Sequence, residues 1–409
     1  MPKIYLLDVT NRDGVQTARI SLSKLQKTIV NLMLNDFGIY QSEVGFPFLE
    51  HEANYINANL ELAEMGVLKP MILEGWCRGV PEDVQAARRL CPKLQHFNVS
   101  ISTSDQMIVH KFQGKLDRES VLREMVESVE AAKQAGALSI GANAEDASRT
   151  EMNYLVRFAQ AAKAAGAVRV RYCDTLGYDD PMTTYRRIKE LATEVEIALE
   201  LHCHSDLGMA VANSIAGAKG AVDAGVDAYI NTTVNGIGER AGQADLVTTA
   251  LALKYAAGFR EWNLLDPRVD TRQAWRIANY TARAFGVPLP INQPGVGANA
   301  FAHESGIHAD GALKDRRNYE LYDLEDVGRG EEQCEPTGRV ITTGEYGGVK
   351  GMLKVYDDLG IQIEPDRVKE TLHLAQYANI QNQMPLTKEE LIFIYKYPKQ
   401  ARKILTLTP

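Results

Sequence analysis

The chain has 409 residues, 45 basic and 53 acidic, for a net charge of -8. That balance excludes a nucleic-acid surface, which needs a basic stripe, yet permits a locally basic pocket for a small anion. No apolar run approaches the roughly 20 residues of a membrane span, and "MPKIYLLDV" is too short and lacks a cleavage site for a secretory signal. The five cysteines (Cys77, Cys91, Cys173, Cys203, Cys334) include no CxxC and read as reduced thiols in a cytoplasmic protein.

Short apolar runs at 4–9, 39–44, 71–76, 96–101, 139–143, 168–173, 197–202 and 228–233 read as strands. Helical patterns separate them. "SLSKLQKTIVNLMLNDFG" offers Ser21 or Ser23 as N-cap and Gly38 as a stop. "DRESVLREMVESVEAAKQAGA" starts at Asp117 and ends in Gly136, and "TEMNYLVRFAQAAKAAGA" and "NSIAGAKGAVDAGVDA" follow the same recipe. Eight such units in roughly 250 residues predict an α/β fold, a (β/α)8 TIM barrel. A doubly wound sheet would place a Gly-rich phosphate loop after its first strand, and none is present. From Gly286 the texture changes: "GVPLPINQPGVGANAF" reads as a linker, followed by a polar segment and short helices. The expected division is a catalytic barrel over 1–285 and a linker, lid and mostly helical C-terminal subdomains over 286–409.

In a barrel of this kind the side chains at the C-terminal strand ends face the active site. Those positions hold Arg12, Asp13 and Gln16 after strand 1 and Glu43 on strand 2. Strand 5 brings Asn143, Glu145 and Arg149, and strand 6 brings Asp174 and Thr175. Glu200, His202 and His204 lie on strand 7, and Glu239, Arg240 and Gln243 follow strand 8. Residues two apart on a strand share a face, so His202 and His204 can bind one ion. Strand 7 neighbours strand 8, and closure puts strand 8 beside strand 1, so Asp13 can reach the same ion. Two imidazoles and a carboxylate suit Mn2+, Mg2+, Co2+ or Zn2+. Glu200 shares that face and suits either orienting a ligand or pairing with a neighbouring Arg. Arg12 places a fixed positive charge where an enolate or alkoxide would develop. Farther on, "HESGIHADGALKDRRNYE" reads as a glycine-flanked loop in which His308 and Tyr319 make a general base and its partner.

Together these stretches resemble the acyl-CoA-condensing branch of the DRE-TIM metallolyases, which comprises isopropylmalate, homocitrate, citramalate and (Re)-type citrate synthases. "DVTNRDGVQ", "EVGFP", "EDASRT", "DTLG", "HCHSDLGMAVANS", "NGIGERAG" and "SGIHADGALKDRRNYE" carry the resemblance over nearly the whole chain. It implies a divalent metal on Asp13, His202 and His204, Arg12 beside the 2-oxo group, and Glu43 and Thr175 lining the oxo-acid pocket with Gln16, Asn143, Glu145 and Arg149. His308, backed by Glu200 and Tyr319, would be the acid/base group, on a lid that crosses to a second subunit of a homodimer. The implied reaction is a metal-dependent Claisen-type condensation of acetyl-CoA with a 2-oxo acid, releasing CoA. Departures refine it. Gln243 stands where leucine-making members carry Asn, so it is a doubtful fourth ligand. Gly141 stands where homocitrate synthases carry an Arg for the far carboxylate, and "RVITTGEYGGVKG" replaces "GKHSGR". These features, with no leucine-sensing domain, favour the (Re)-citrate type, acting on oxaloacetate. Homocitrate synthase is next, then isopropylmalate or citramalate synthase, and a lyase of the same barrel is last.

Overall fold

Eight parallel strands close into a barrel in the computed structural model, which describes residues 2–330 and 342–406. Cys334 and the first residues of "RVITTGEYGGVKG" lie outside that range. The strands are β1 (Ile4–Asp8), β2 (Gln41–Gly45), β3 (Ile72–Arg78), β4 (His96–Ser102), β5 (Ser139–Glu145), β6 (Arg169–Asp174), β7 (Ala198–Cys203) and β8 (Ala228–Thr232). All eight fall where the apolar runs predict. Four of them, β3, β4, β5 and β6, run on past the apolar stretch into polar residues. The barrel closes by pairing β1 with β8, Leu6 opposite Ile230. This closure sets the ends of β7, β8 and β1 side by side.

The helices between strands begin and end by ordinary capping chemistry. Ser23, not Ser21, caps Lys24–Phe37: its hydroxyl accepts from Gln26 N–H while the Gln26 side chain answers to Ser23 N–H, and Gly38 stops the helix at φ 87°. Asp117 caps Arg118–Gln134 in the same sense. One face of each helix covers the barrel wall; Leu25, Ile29, Val30, Met33, Leu34 and Phe37 of the first are all buried.

The barrel interior departs from the usual filling of branched aliphatic side chains. Tyr5, Tyr40 and Tyr229 pack together low in the barrel, with ring centroids 4.9 to 5.4 Å apart. The neighbouring layer is charged: Glu43, Glu74 and Glu200 interleave with Arg169 and Arg171. Arg12, Asp13, His202 and His204 lie at the strand ends.

Beyond the barrel, the linker leads to one difference from the sequence reading. Residues 306–314 form an α-helix, Gly306–Lys314, rather than a loop. The helix carries an Asp310–Lys314 pair one turn apart. Gly311 is there because the Tyr319 ring lies over it; a Cβ would stand 2.4 Å from Tyr319 Cε2. The distal helices Val368–Asn382, Lys388–Lys396 and Pro398–Ile404 fold back on the barrel: Ser23 Oγ donates to Asn382 Oδ1 (2.5 Å), Tyr280 Oη to Glu390 Oε1 (2.9 Å), and Lys403 pairs with Glu61. Among the described residues no helix is long and apolar enough to cross a membrane. Cys77, Cys91, Cys173 and Cys203 are free and buried.

Candidate active site

The polar run after β1 is a fastening device. Asp8 accepts from Thr10 N–H (2.8 Å) and Thr10 Oγ1 (3.0 Å), and Val234 N–H donates back to that hydroxyl (2.8 Å), tying the loop to the end of β8. Asn11 Nδ2 donates to Lys27 O (2.8 Å) and Asn31 Oδ1 (2.9 Å), pinning the loop to the first helix. The N–H groups of Arg12, Asp13 and Gly14 all converge on Val9 O (3.1, 2.8 and 3.1 Å). The tight turn they form aims Arg12 and Asp13 into the barrel mouth. Burial pushes the Asp8 carboxyl up to about 7, against its bonds from Thr10.

Asp13, His202 and His204 meet as the strand order predicts. Asp13 Oδ2 lies 3.1 Å from His202 Nε2 and 4.0 Å from His204 Nε2, and the three ligand atoms all fall within 4.8 Å of one another. Ligands about 2.1 Å from one ion are themselves about 3 to 3.5 Å apart, so small side-chain adjustments suffice. The chemistry of the donors fits a cation as well. Asn231 commits its amide N–H to Glu200 Oε1 (2.7 Å), so its Oδ1, 3.0 Å from His202 Nδ1, must receive a proton from that ring. The lone pair of His202 Nε2 then faces a carboxylate oxygen, an arrangement that a shared cation satisfies. Burial works to raise the Asp13 carboxyl, but the Arg12 guanidinium outweighs it and holds it below the usual range. Burial pushes His204 down to about 3, which keeps its imidazole neutral as a ligand. Gln243 pairs with His204 through the backbone, and both its amide atoms are buried without a protein partner. The loop holding it turns at Gly242 (φ 84°), where a Cβ would meet Gly236 O at 1.9 Å.

Under this cluster lies the charged layer. Glu43 accepts from Arg12 Nε (2.6 Å) through one oxygen and from Arg171 Nη2 (2.5 Å) through the other. Glu200 accepts from Arg169 Nε (2.6 Å), Arg171 Nε (2.6 Å) and Asn231. Arg169 also reaches Glu74 (2.5 Å). Burial disfavours charge on Glu200, yet Arg171 and Arg169 keep it ionised; Glu74, less well served, is raised by burial. The layer takes up two of the expected site residues. Glu43 is fully buried and holds Arg12 from below. Glu200 pairs with the arginines of the neighbouring strand and is linked to His202 through Asn231. Arg169, Arg171, Glu74 and Asn231 escaped the sequence reading. The signal for them was charge inside otherwise apolar strand runs, as in "VRVRYCD".

The other expected site residues scatter more. Asn143 is buried in the lumen beside Arg171. Glu145 is bound by Lys111 (2.6 Å) and Ser102 (2.5 Å), and the three line a cavity of about 690 Å3 with Trp76, Arg78 and Ser100 at the ends of β3, β4 and β5. Trp76 joins that cavity to the site, its ring 5.6 Å from the Arg12 guanidinium carbon. Arg149 is clamped by Asp146 (2.7 Å), and Thr175 Oγ1 accepts from Asp146 N–H (2.9 Å); both brace the β5 loop. Gln16 is exposed on its turn. The rings of His308 and Tyr319 lie against each other with centroids 4.3 Å apart, both exposed, His308 on the Gly306–Lys314 helix and Tyr319 on the turn that follows.

Two family models match the chain: HMGL-like over residues 3–281, and homocitrate synthase post-HMGL domain-like over residues 296–382. The chain belongs to the HMGL-like family. It is 54% identical to citrate (Re)-synthase of Dehalococcoides mccartyi, over 100% of this chain and 99% of that protein. It is 39% identical to 2-isopropylmalate synthase 2 of Caldanaerobacter subterraneus (96% and 95% covered) and 33% identical to homocitrate synthase 1 of Nostoc (97% and 98% covered). Among solved structures, HMG-CoA lyase of Bacillus subtilis superposes with a TM-score of 0.57 at 17% identity, covering 71% of this chain and 97% of that one. That likeness shows the barrel fold. The chain is an enzyme of the acyl-condensing synthase type, as the full-length likeness to three synthases and the post-HMGL match show.

Proposed function

We propose that this HMGL-like enzyme condenses acetyl-CoA with oxaloacetate and that water then cleaves the thioester of the product, giving citrate and free CoA, by the Re-type reaction that its Dehalococcoides relative is named for. The observation that carries the reading is the full-length 54% identity to that relative, with Arg12, Asp13, His202 and His204 gathered at one mouth. Asp13, His202 and His204 would hold a divalent ion such as Mn2+ or Mg2+, which would supply Lewis acidity to the 2-oxo group. Arg12 spends Nη1 on Asp13 (2.9 Å) and Nε on Glu43, leaving Nη2 to a substrate oxygen. Its charge there stabilises the alkoxide formed when the acetyl carbon attacks the ketone.

His308, with Tyr319 stacked on it, supplies the base that takes a proton from the acetyl methyl. Both are exposed on a lid whose Ile307, Leu313 and Leu321 are exposed as well, which suits a lid that closes over the mouth of a second copy in a homodimer. Equal mixing of inactive Arg12→Ala and His308→Ala chains then regenerates intact sites, up to about a quarter of the total. No recovery on mixing would place the lid over its own barrel instead. The reaction is tested by thiol release from acetyl-CoA with Mn2+ and a panel of oxaloacetate, 2-oxoglutarate, pyruvate and 2-oxoisovalerate. Oxaloacetate is expected to lead; preference for any other acid reassigns the substrate.

A further inference from the structure

Three buried polar atoms on adjacent strands find no protein partner: Asn98 Oδ1 on β4, Asn143 Oδ1 on β5 and Arg171 Nη1 on β6. They are neighbours in the lumen, since Asn98 lies opposite Gly141 and Asn143 opposite Arg171. On the β7 and β8 side, Glu200, Asn231 and His202 are all matched. Unpartnered buried groups are costly and demand a reason.

Arg171 is the informative one. Its Nε and Nη2 form the edge turned to Glu200, so Nη1 lies on the opposite edge, away from β7. The strand on that side is β5, where Asn143 sits and where Gly141 brings no charge of its own. A β5 side chain at 141 would run into Asn98, 3.0 Å from the ideal Cβ, so a cation for this region comes from β6. Arg169 is committed, Nε to Glu200 and Nη2 to Glu74. Arg171 is also placed for substrate. Glu43 grips Arg12 with one oxygen and Arg171 with the other, so the two guanidiniums stand one carboxylate apart.

We infer that Arg171, with the Asn143 amide beside it, binds the second carboxylate of a dicarboxylic 2-oxo acid and sets the enzyme's preference for it over monocarboxylic 2-oxo acids. The inference rests on the condensing reaction proposed above and names how its substrate class is chosen. A guanidinium matches a carboxylate in charge and planarity, and an amide can turn its NH2 to the same oxygen.

The test is calorimetric binding of oxaloacetate and of pyruvate to the full-length Mn2+-loaded protein without acetyl-CoA, alongside kcat and KM for both. Arg171→Gln is expected to weaken oxaloacetate about 10- to 100-fold while moving pyruvate less than about threefold, with the loss in KM more than kcat. Arg171→Lys falls between, and Mn2+ affinity is unchanged. A folded, Mn2+-binding Arg171→Gln that keeps the wild-type ratio of the two acids overturns the inference. Should that variant not fold, Arg171→Lys and Asn143→Ala decide: both must erode the ratio, and an unchanged ratio in both is fatal. Wild-type protein that binds oxaloacetate no tighter than pyruvate also overturns it. Wild-type protein that binds oxaloacetate selectively yet releases no CoA overturns the proposed reaction and leaves the subsite standing.

Discussion

Glu43→Gln removes one charge and almost no volume from the centre of the lumen. In the wild type each carboxylate oxygen serves a different guanidinium, Arg12 at 2.6 Å and Arg171 at 2.5 Å, and all three residues are buried. A glutamine keeps one acceptor oxygen and turns an NH2 toward the other guanidinium, so one buried cation loses one of its two carboxylate partners, Arg12 keeping Asp13 or Arg171 keeping Glu200. Breaking a buried pair from one side costs about 3 to 5 kcal/mol. Globular proteins carry an unfolding entropy of about 2.1 cal/mol/K per residue, so this 409-residue chain should melt about 4 to 6 °C lower. Arg12 also loses its lower anchor, so kcat/KM should fall at least about tenfold, because misplacement of a transition-state donor is expensive. Thermal melting followed by circular dichroism and the CoA-release assay read the two effects. A variant that melts within 1 °C of wild type and turns over normally, about the margin of such measurements, would show that the layer neither holds Arg12 nor needs its third carboxylate.

Three other outcomes follow from the same geometry. His308→Ala should keep oxo-acid binding while kcat drops about 10²- to 10⁴-fold, the span of a lost general base; equal losses in binding and turnover would remove it from that role. Chelation with EDTA should abolish activity, and Mn2+ at a hundredfold excess over its Kd should restore it and raise the melting temperature about 3 °C, since such binding contributes about 2.7 kcal/mol; a chelated protein with full activity would remove the ion from the site. The Asp8 carboxyl is raised from 3.8 to about 7 in the fold, so the folded state holds a proton that the unfolded chain releases between those values. Its contribution to stability is present below pH 3.8 and is lost as pH rises through about 7, by up to about 4 kcal/mol. Asp8→Asn, which mimics the protonated form, should flatten that slope in urea midpoints measured from pH 5 to 8; an unchanged slope would mean that Asp8 is ionised throughout.

Periodicity and capping chemistry were enough to read the barrel. Apolar runs of strand length, each followed by a helix with its own cap and glycine stop, leave few ways to bury their faces, and a closed ring of eight is the one that uses every unit. Closure also made the metal cluster legible, because it makes the first and last strands neighbours and so brings Asp13 to His202 and His204. The charged layer was only partly legible. Glu43 and Glu200 stood out by their places on β2 and β7, but Arg169 and Arg171 sit in a run that reads as apolar strand, and only the register between β6 and β7 shows that they face inward onto Glu200. The segment after the linker was half legible: His308 and Tyr319 stood out as residues, but the helix that carries His308, with the Tyr319 ring over its Gly311, was read as a loop. Local pattern determines which segments become strand or helix, since backbone geometry repeats every two or 3.6 residues. Which buried charges meet is decided by distances between segments far apart in the chain, and these exist only once the ring has closed.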